Sequence, residues 1–214
     1  MKLVLITQIT PASENVRGTS ALPYHLMVHR PSNVDIVIYS FNGNQLSGTK
    51  IKEVEEELNV TIKLLPWPAW LAWVFRLHLL FVRLFLKYPM LNYMWLSSKI
   101  VEEIKALQPD AIWVYGQEMT RVTKQFAGFR RVHTLPDCQS LYYYRMLGRR
   151  FVFKNWMMFW RNVVMYPKYL RMERAYENSP MVKYHLVGEI DAVSLRNVSP
   201  GIQANFLRHP HYHV

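Results

Sequence analysis

Short apolar runs recur along the chain and are bounded by Pro, Gly, Asn or Asp. Such runs predict buried strands, because a strand covered on both faces shows no strict alternation of apolar and polar residues. We predict strands at residues 2–9, 35–41, 60–65, 111–115, 131–135, 183–187 and 203–207. Several of these runs are separated by segments with a helical spacing of apolar positions, which predicts a parallel sheet.

Helices are predicted between the strands. The segment 97–107 carries apolar residues at Ile100, Val101, Ile104 and Leu107, which is a helical spacing. Helices are also predicted at residues 20–29, with Ser20 as the N-cap, and at residues 190–196. Residues 137–146 would form a further helix if Asp137 is its N-cap. The predicted fold class is therefore α/β, a Rossmann-like parallel sheet with helices on both faces. With 214 residues, and without an internal repeat or an obvious linker, the chain is expected to form a single domain over residues 1–214.

Two segments are unusually aromatic and basic. Residues 67–88 predict one helix whose cations, Arg76, Arg83 and Lys87, lie within roughly 40° of each other around its axis. These charges interrupt the apolar run before the about 20 residues that a membrane span needs. A helix in the membrane interface and a mostly buried helix with one solvent-facing stripe both fit. The predicted membrane-surface residues are Trp70, Trp73, Arg76, Arg83 and Lys87.

Residues 151–178 form the second segment, in which Pro167 is expected to break a long helix. Both segments could bring the protein to an anionic membrane. The net charge of +11 agrees with anionic partners in general, and a generally basic surface explains it equally well. Because no nucleic-acid-binding motif is present, we expect no nucleic acid partner.

The compartment is predicted from the cysteine content and from the start of the chain. Cys138 is the single cysteine, so the chain has no intrachain disulfide. The first residues lack the long apolar core of a secretory signal. We expect a cytoplasmic protein that is peripheral on the inner face of the cell membrane.

Ligands of open parallel sheets bind beyond the carboxyl ends of the strands, so the loops after the strands are the candidate sites. The first loop offers Arg17, Gly18 and Ser20, because a glycine before a helix lets the backbone approach a phosphate. Its sequence is neither a dinucleotide-binding fingerprint nor a P-loop, and an ordinary turn glycine is the alternative. The second loop offers Gln117 and Glu118 for sugar hydroxyls, or simply begins a helix.

The third loop, residues 132–140, places His133 and Asp137 at a strand end, where they could bind sugar hydroxyls or transfer protons. Alternatively, His133 is a structural hydrogen bonder and Asp137 caps a helix. A Cys138 thiol nucleophile activated by His133 lacks a third, orienting group. Ser140 and Arg145 complete the predicted substrate-binding residues.

The tail contains His209, His211 and His213, but no carboxylate or thiol lies near them. A linker or an edge strand explains this tail better than a metal site, so we predict no metal.

The order of these pieces resembles the N-terminal domain of family-4-like glycosyltransferases, which have the GT-B fold. The resemblance includes the first loop with Pro11 and Gly18 and the loop from His133 to Asp137. Its most specific part is Gly188-Glu189-Ile190-Asp191, followed by a short helix and a strand that would lead into an interdomain linker.

The resemblance implies a retaining glycosyltransferase that uses a nucleotide-sugar donor and needs no metal or other cofactor. A C-terminal donor domain, absent from this chain, would bind the donor, so this chain alone would be inactive. Gly18 would approach the donor phosphates, and His133 or Asp137 would hold the acceptor, a glycan or a lipid-linked precursor in surface polysaccharide or glycolipid assembly. The alternative is a non-catalytic, membrane-associated scaffold or binding subunit with the same half-fold.

Overall fold

The computed structural model describes residues 1–13, 18–79 and 81–206. Seven strands in this part of the chain form one sheet. They are β1 (Lys2–Thr7), β2 (Asp35–Ser40), β3 (Thr61–Leu64), β4 (Ala111–Tyr115), β5 (Arg131–Leu135), β6 (Val182–Leu186) and β7 (Ala204–Phe206). Their order is β3-β2-β1-β4-β5-β6-β7, and every neighbouring pair is parallel. Each predicted strand is present, with bounds that differ by at most two residues.

Helices connect the strands. They are α1 (Gly18–Val28), α2 (Gly48–Leu58), α3 (Ala69–Arg76), α4 (Val82–Phe85), α5 (Ser98–Ala106), α6 (Thr120–Lys124), α7 (Gln139–Leu147), α8 (Trp156–Arg174) and α9 (Glu189–Val198). Short 3-10 helices lie at Met90–Tyr93 and Phe153–Asn155.

Apolar side chains project from both faces of the sheet and pack against helices. On one face, Leu5 of β1 and Trp113 of β4 pack with residues of α1 and α2. On the other face, Val4 and Val114 from the same strands pack with residues of α3, α5 and α6. A third cluster joins β5, β6 and β7 to α8 and α9. The predicted α/β Rossmann-like sheet with helices on both faces is confirmed.

Side-chain caps set the limits of two helices. The hydroxyl of Ser47 accepts a hydrogen bond from the backbone N–H of Lys50 at 3.2 Å and begins α2. Asn59 ends this helix in the left-handed region, at φ 48°. The hydroxyl of Ser97 caps α5 in the same way.

The prediction of one helix over residues 67–88 is wrong. His78 adopts a φ of 54°, a left-handed conformation that an α-helix does not contain, and the chain turns between α3 and α4. Arg76 lies on α3, Arg83 on α4 and Lys87 beyond it, so the three cations do not form a stripe along one helix.

The predicted break at Pro167 is also wrong, since α8 continues through this residue. Proline removes one helical hydrogen bond. Tertiary contacts beside it hold the helix: Tyr169 and Met172 are buried in the third cluster, and the buried Lys168 ammonium donates to backbone carbonyls of residues 83–86.

Candidate functional site

The direction in which strands are added to the sheet reverses between β1 and β4. The chain adds β2 and β3 on one side of β1, and then returns to add β4 on the other side. In open parallel sheets, ligands bind in the crevice at such a point, beyond the carboxyl ends of the strands. A cavity of about 190 Å³ lies at this position. Its lining includes Gln8 after β1, Gly116, Gln117 and Glu118 after β4, and Asp137 after β5. We refer to it as the switch-point cavity.

Gly116 turns the chain out of β4 into the cavity. Its φ is 135°, a conformation that side-chain-bearing residues rarely adopt, and an added Cβ would lie 3.2 Å from Cγ of Met119. Its carbonyl accepts a hydrogen bond from the ring of His133 at 2.8 Å. The turn is thereby fixed, and it presents Gln117 and Glu118 to the crevice.

Gln117 ties the loop after β4 to the loop after β5. Its side-chain amide donates to the backbone carbonyl of Asp137, and its amide oxygen accepts from the Asp137 N–H at 3.5 Å. Both residues line the switch-point cavity. The structure therefore brings together two of the residues that were predicted for substrate binding and catalysis.

Asp137 is an exposed residue at this edge, but the surrounding protein partly shields its carboxyl group from water. Partial burial raises the pKa of its carboxyl, and repulsion from the nearby Asp191 carboxylate raises it further. Asp137 was the predicted alternative cap of α7, but Cys138 holds the N-cap position. A partly shielded carboxylate with a raised pKa can accept a hydrogen bond or a proton from a hydroxyl.

His133 does not lie in the cavity, which corrects its prediction as a catalytic residue. It is 0% exposed within β5, and its ring nitrogens contact the Gly116 carbonyl at 2.8 Å and the Thr123 hydroxyl at 3.3 Å. Burial lowers the pKa of the ring from 6.5 to about 4. A neutral ring held in this way is a structural hydrogen bonder, which was the alternative interpretation.

Glu118 forms a wall of the cavity. One carboxyl oxygen accepts from the Tyr169 hydroxyl, and the other accepts from the Leu91 N–H at 3.1 Å. Burial raises the pKa of this carboxyl, although both hydrogen bonds act in the opposite direction. Both oxygens thus have protein partners, and contact between Glu118 and a substrate stays a prediction.

Cys138 and Ser140 are both buried, and neither lines the switch-point cavity. Burial, followed by the Glu173 carboxylate, raises the pKa of the Cys138 thiol to about 12, which disfavours the thiolate that a nucleophile requires. The Ser140 N–H donates to Glu173 at 3.2 Å. Ser140 therefore links the start of α7 to Glu173 and does not line the switch-point cavity.

The other predicted residues have different positions. Gly18 is the first residue of α1, so Ser20 lies inside the helix and is not its N-cap. Arg17 and the histidines of the tail lie outside the described residues. Arg145 is exposed on α7, away from the lining of the switch-point cavity.

Asp191, which the sequence analysis quoted in the Gly-Glu-x-Asp pattern but did not assign to the site, lies next to Asp137. Its carboxylate accepts the Cys138 N–H at 2.9 Å, and together with Glu173 it satisfies the free N–H groups that begin α7. A Cβ on Gly188 would lie 2.3 Å from the Asp191 carboxylate, so a side chain there would displace this carboxylate from its present position. The Gly-Glu-x-Asp pattern thus has a structural reason: it holds the loop that carries Asp137.

The aromatic segments expose many apolar side chains. Trp73 is exposed and lies against the Arg76 guanidinium, whereas Trp70 is half-buried and stacks on Trp95 with ring centroids 6.4 Å apart. None of the helices in the described ranges is long and apolar enough to cross a membrane. Among the described residues, no group of three His, Cys, Asp or Glu side chains could hold a metal ion.

Comparison with known proteins gives distant similarities. No family model and no curated protein matches the chain. Anabaena HepE in complex with UDP-glucose has a TM-score of 0.49 and 11% identity, over 97% of this chain and 43% of that chain. Arabidopsis thaliana UGT89C1 complexed with UDP has a TM-score of 0.45 and 13% identity, over 99% of this chain and 53% of that chain. The chain spans about half the length of these two proteins.

Proposed function

We propose that the chain forms the acceptor-side wall of the cleft of a retaining, GT-B-type glycosyltransferase that uses a nucleotide sugar. The observation that carries the proposal is the switch-point cavity, where an amide and a carboxylate lie beyond the carboxyl ends of β4 and β5. An amide and a carboxylate together suit sugar hydroxyls, because a hydroxyl both donates and accepts hydrogen bonds.

The size of the cavity supports a shared cleft. Pockets that enclose small ligands measure about 300 to 1,000 Å³, and this cavity holds about 190 Å³. A site of this size covers one side of a sugar, and the second wall would come from a donor domain that is not part of these residues. No cofactor or metal enters the proposal, and the nucleotide sugar is a substrate.

Asp137 is the residue that we propose to contact the acceptor hydroxyl. Its carboxylate can align this hydroxyl toward the anomeric carbon and can accept its proton as the new glycosidic bond forms, while the bond from the anomeric carbon to the donor phosphate breaks and nucleoside diphosphate leaves. Gln117 acts as a positioning residue, since it fixes the backbone of Asp137 from the neighbouring loop.

Asp137→Asn is expected to lower sugar transfer by about 100-fold, because the amide keeps the shape of the carboxylate but cannot accept the proton. The measurement is nucleoside diphosphate release from a panel of nucleotide sugars by protein made from the complete reading frame. Asp35→Asn, an exposed residue at the amino end of β2, is the matched control and should leave the rate unchanged. Equal rates for wild type and Asp137→Asn would remove Asp137 from the mechanism, and no turnover with any donor would favour a non-catalytic binding subunit.

We also propose that the domain works at the inner face of the cell membrane, in surface polysaccharide or glycolipid assembly. Exposed apolar side chains support this proposal, since large patches of this kind mark interaction sites. They include Trp73, Phe75, Phe81, Leu84, Phe85, Phe151, Phe153, Trp156, Met157 and Trp160. Exposed cations, Arg76, Lys87, Arg149, Arg150 and Lys154, accompany them.

The double substitution Phe85→Ser and Met157→Ser is expected to weaken binding to anionic vesicles by about tenfold or more, because these side chains are 82% and 70% exposed and free to enter the interface. Co-sedimentation with phosphatidylcholine vesicles that contain phosphatidylglycerol measures the effect. Val28→Ser, an exposed apolar residue at the end of α1, should bind as wild type does. Equal binding of wild type to neutral and anionic vesicles would argue against an anionic membrane partner.

A further inference from the structure

A second cavity, of about 220 Å³, lies on the other side of Glu118 and Tyr169 from the switch-point cavity. Both residues line the two cavities, and α4 and α8 form the outer walls of the second one. We refer to it as the arginine pocket, because Arg83 of α4 and Arg161 of α8 line it.

Neither arginine has a carboxylate partner within 4 Å in the part of the chain that the structure describes. Burial raises the pKa of the Tyr143 hydroxyl, and the Arg161 guanidinium lies near enough to act in the opposite direction. The acidic group of the lining is Glu118, whose oxygens accept from Tyr169 and Leu91. The lining therefore offers two cations for an anion, and its one carboxyl has other partners.

The walls of the arginine pocket are tied together. The buried Lys168 ammonium, on α8, donates to the carbonyls of Arg83, Leu84 at 3.0 Å and Leu86 at 2.5 Å. Those carbonyls belong to the short helix α4 and the residue after it. Lys168 thus holds the backbone of Arg83 against the helix that carries Arg161, so both guanidinium groups border one cavity.

The surface around the pocket is apolar. Leu84, Phe85, Met157 and Trp160 are exposed on α4 and on the first turns of α8. Met165 and Val164 continue this apolar character into the lining of the pocket. Two guanidinium groups without a carboxylate partner, within an exposed apolar surface, complement an amphiphile, which joins a compact anion to a hydrocarbon chain.

We propose that the arginine pocket binds the terminal phosphate of a membrane lipid, with Arg83 and Arg161 on the phosphate oxygens and the lipid chains along the apolar surface. A phosphate monoester carries nearly two negative charges at neutral pH, which two arginines match. This inference rests on the pocket and its surroundings and does not depend on sugar transfer.

The test compares vesicles of phosphatidylcholine with phosphatidic acid, which has a terminal phosphate, and with phosphatidylglycerol, at matched surface charge. We expect about tenfold tighter binding to phosphatidic acid, because two charge-assisted hydrogen bonds distinguish the lipids. The double variant Arg83→Gln/Arg161→Gln should lose this preference. The control Arg149→Gln/Arg150→Gln removes the same charge from residues that do not line the arginine pocket, and it should weaken binding to both lipids equally.

Equal binding of the wild-type protein to both lipids, or loss of the preference in the control pair, would overturn the proposal. Inorganic phosphate separates the two sources of a phosphate group. If it bound the protein as tightly as the lipid phosphate does, the assignment to a membrane lipid would be wrong. Sugar transfer is measured separately, so a failure there and a failure here can be told apart.

Discussion

Arg131→Met is expected to lower the free energy of unfolding by about 3 to 5 kcal/mol. The Arg131 side chain is 2% exposed and forms a two-pronged ion pair with Glu177, at 2.7 and 2.8 Å. Its remaining donors reach the backbone carbonyls of residues 123, 127 and 129. Methionine fills much of the volume but leaves a carboxylate and three carbonyls without these donors.

The matched control for this experiment is Arg130→Met, in the neighbouring position. Arg130 is exposed, so its replacement should change the free energy of unfolding by less than about 0.5 kcal/mol. Urea titration measures both variants. A loss below about 1 kcal/mol for Arg131→Met would contradict the view that this ion pair anchors β5 to the segment after α8.

We expect the free energy of unfolding to fall by about 3 kcal/mol as the pH falls from 6.5 to 4, because the buried ring of His133 is held neutral in the fold. Burial holds the pKa of the folded-state ring at about 4, against 6.5 for the free side chain. The unfolded chain therefore takes up a proton at a higher pH than the folded chain does. The stability that this ring contributes is complete above pH 6.5 and is lost during acidification.

His133→Gln isolates this effect from the other groups that titrate in acid. The variant should be less stable at neutral pH, but its stability should fall less steeply than that of wild type between pH 6.5 and 4. His29→Gln, an exposed histidine, should follow the wild-type curve. Parallel curves for wild type and His133→Gln, from urea unfolding at a series of pH values, would show that the buried ring is not held neutral.

The sheet could be predicted from sequence because its strands are buried on both faces. The run from Ala111 to Tyr115 is apolar throughout, and Pro109 and Gly116 mark its limits, so local residues alone define it. By contrast, the helix between β2 and β3 was not predicted, although Ser47 and Asn59 cap it. Its apolar positions, Ile51, Val54 and Leu58, are few and lie among charged residues.

The two errors within the aromatic segments have different origins. Nothing near His78 in the sequence marks the turn there, since the flanking residues are good helix formers. Proline at position 167 favours a break, but the buried side chains that follow it keep α8 continuous. At Pro167 the packing of distant residues therefore outweighs the local preference.

The position of the site could be predicted better than its residues. Parallel strands place the loops after β4 and β5 at one edge, which brought Gln117 and Asp137 together as expected. The inward direction of His133 depends on the register of β5, because neighbouring residues in a strand point to opposite faces. The hydrogen bond from the Cys138 N–H to the Asp191 carboxylate joins residues 53 positions apart along the chain, and a single sequence does not reveal such a contact.

Hydrogen–deuterium exchange with and without a nucleotide sugar and a glycan acceptor tests the central claim most directly, on protein made from the complete reading frame. We predict that ligand slows exchange at residues 116–118 and 136–139, the loops that line the switch-point cavity. Unchanged exchange in these loops, with protection confined to other parts of the sheet, would contradict the assignment of the site.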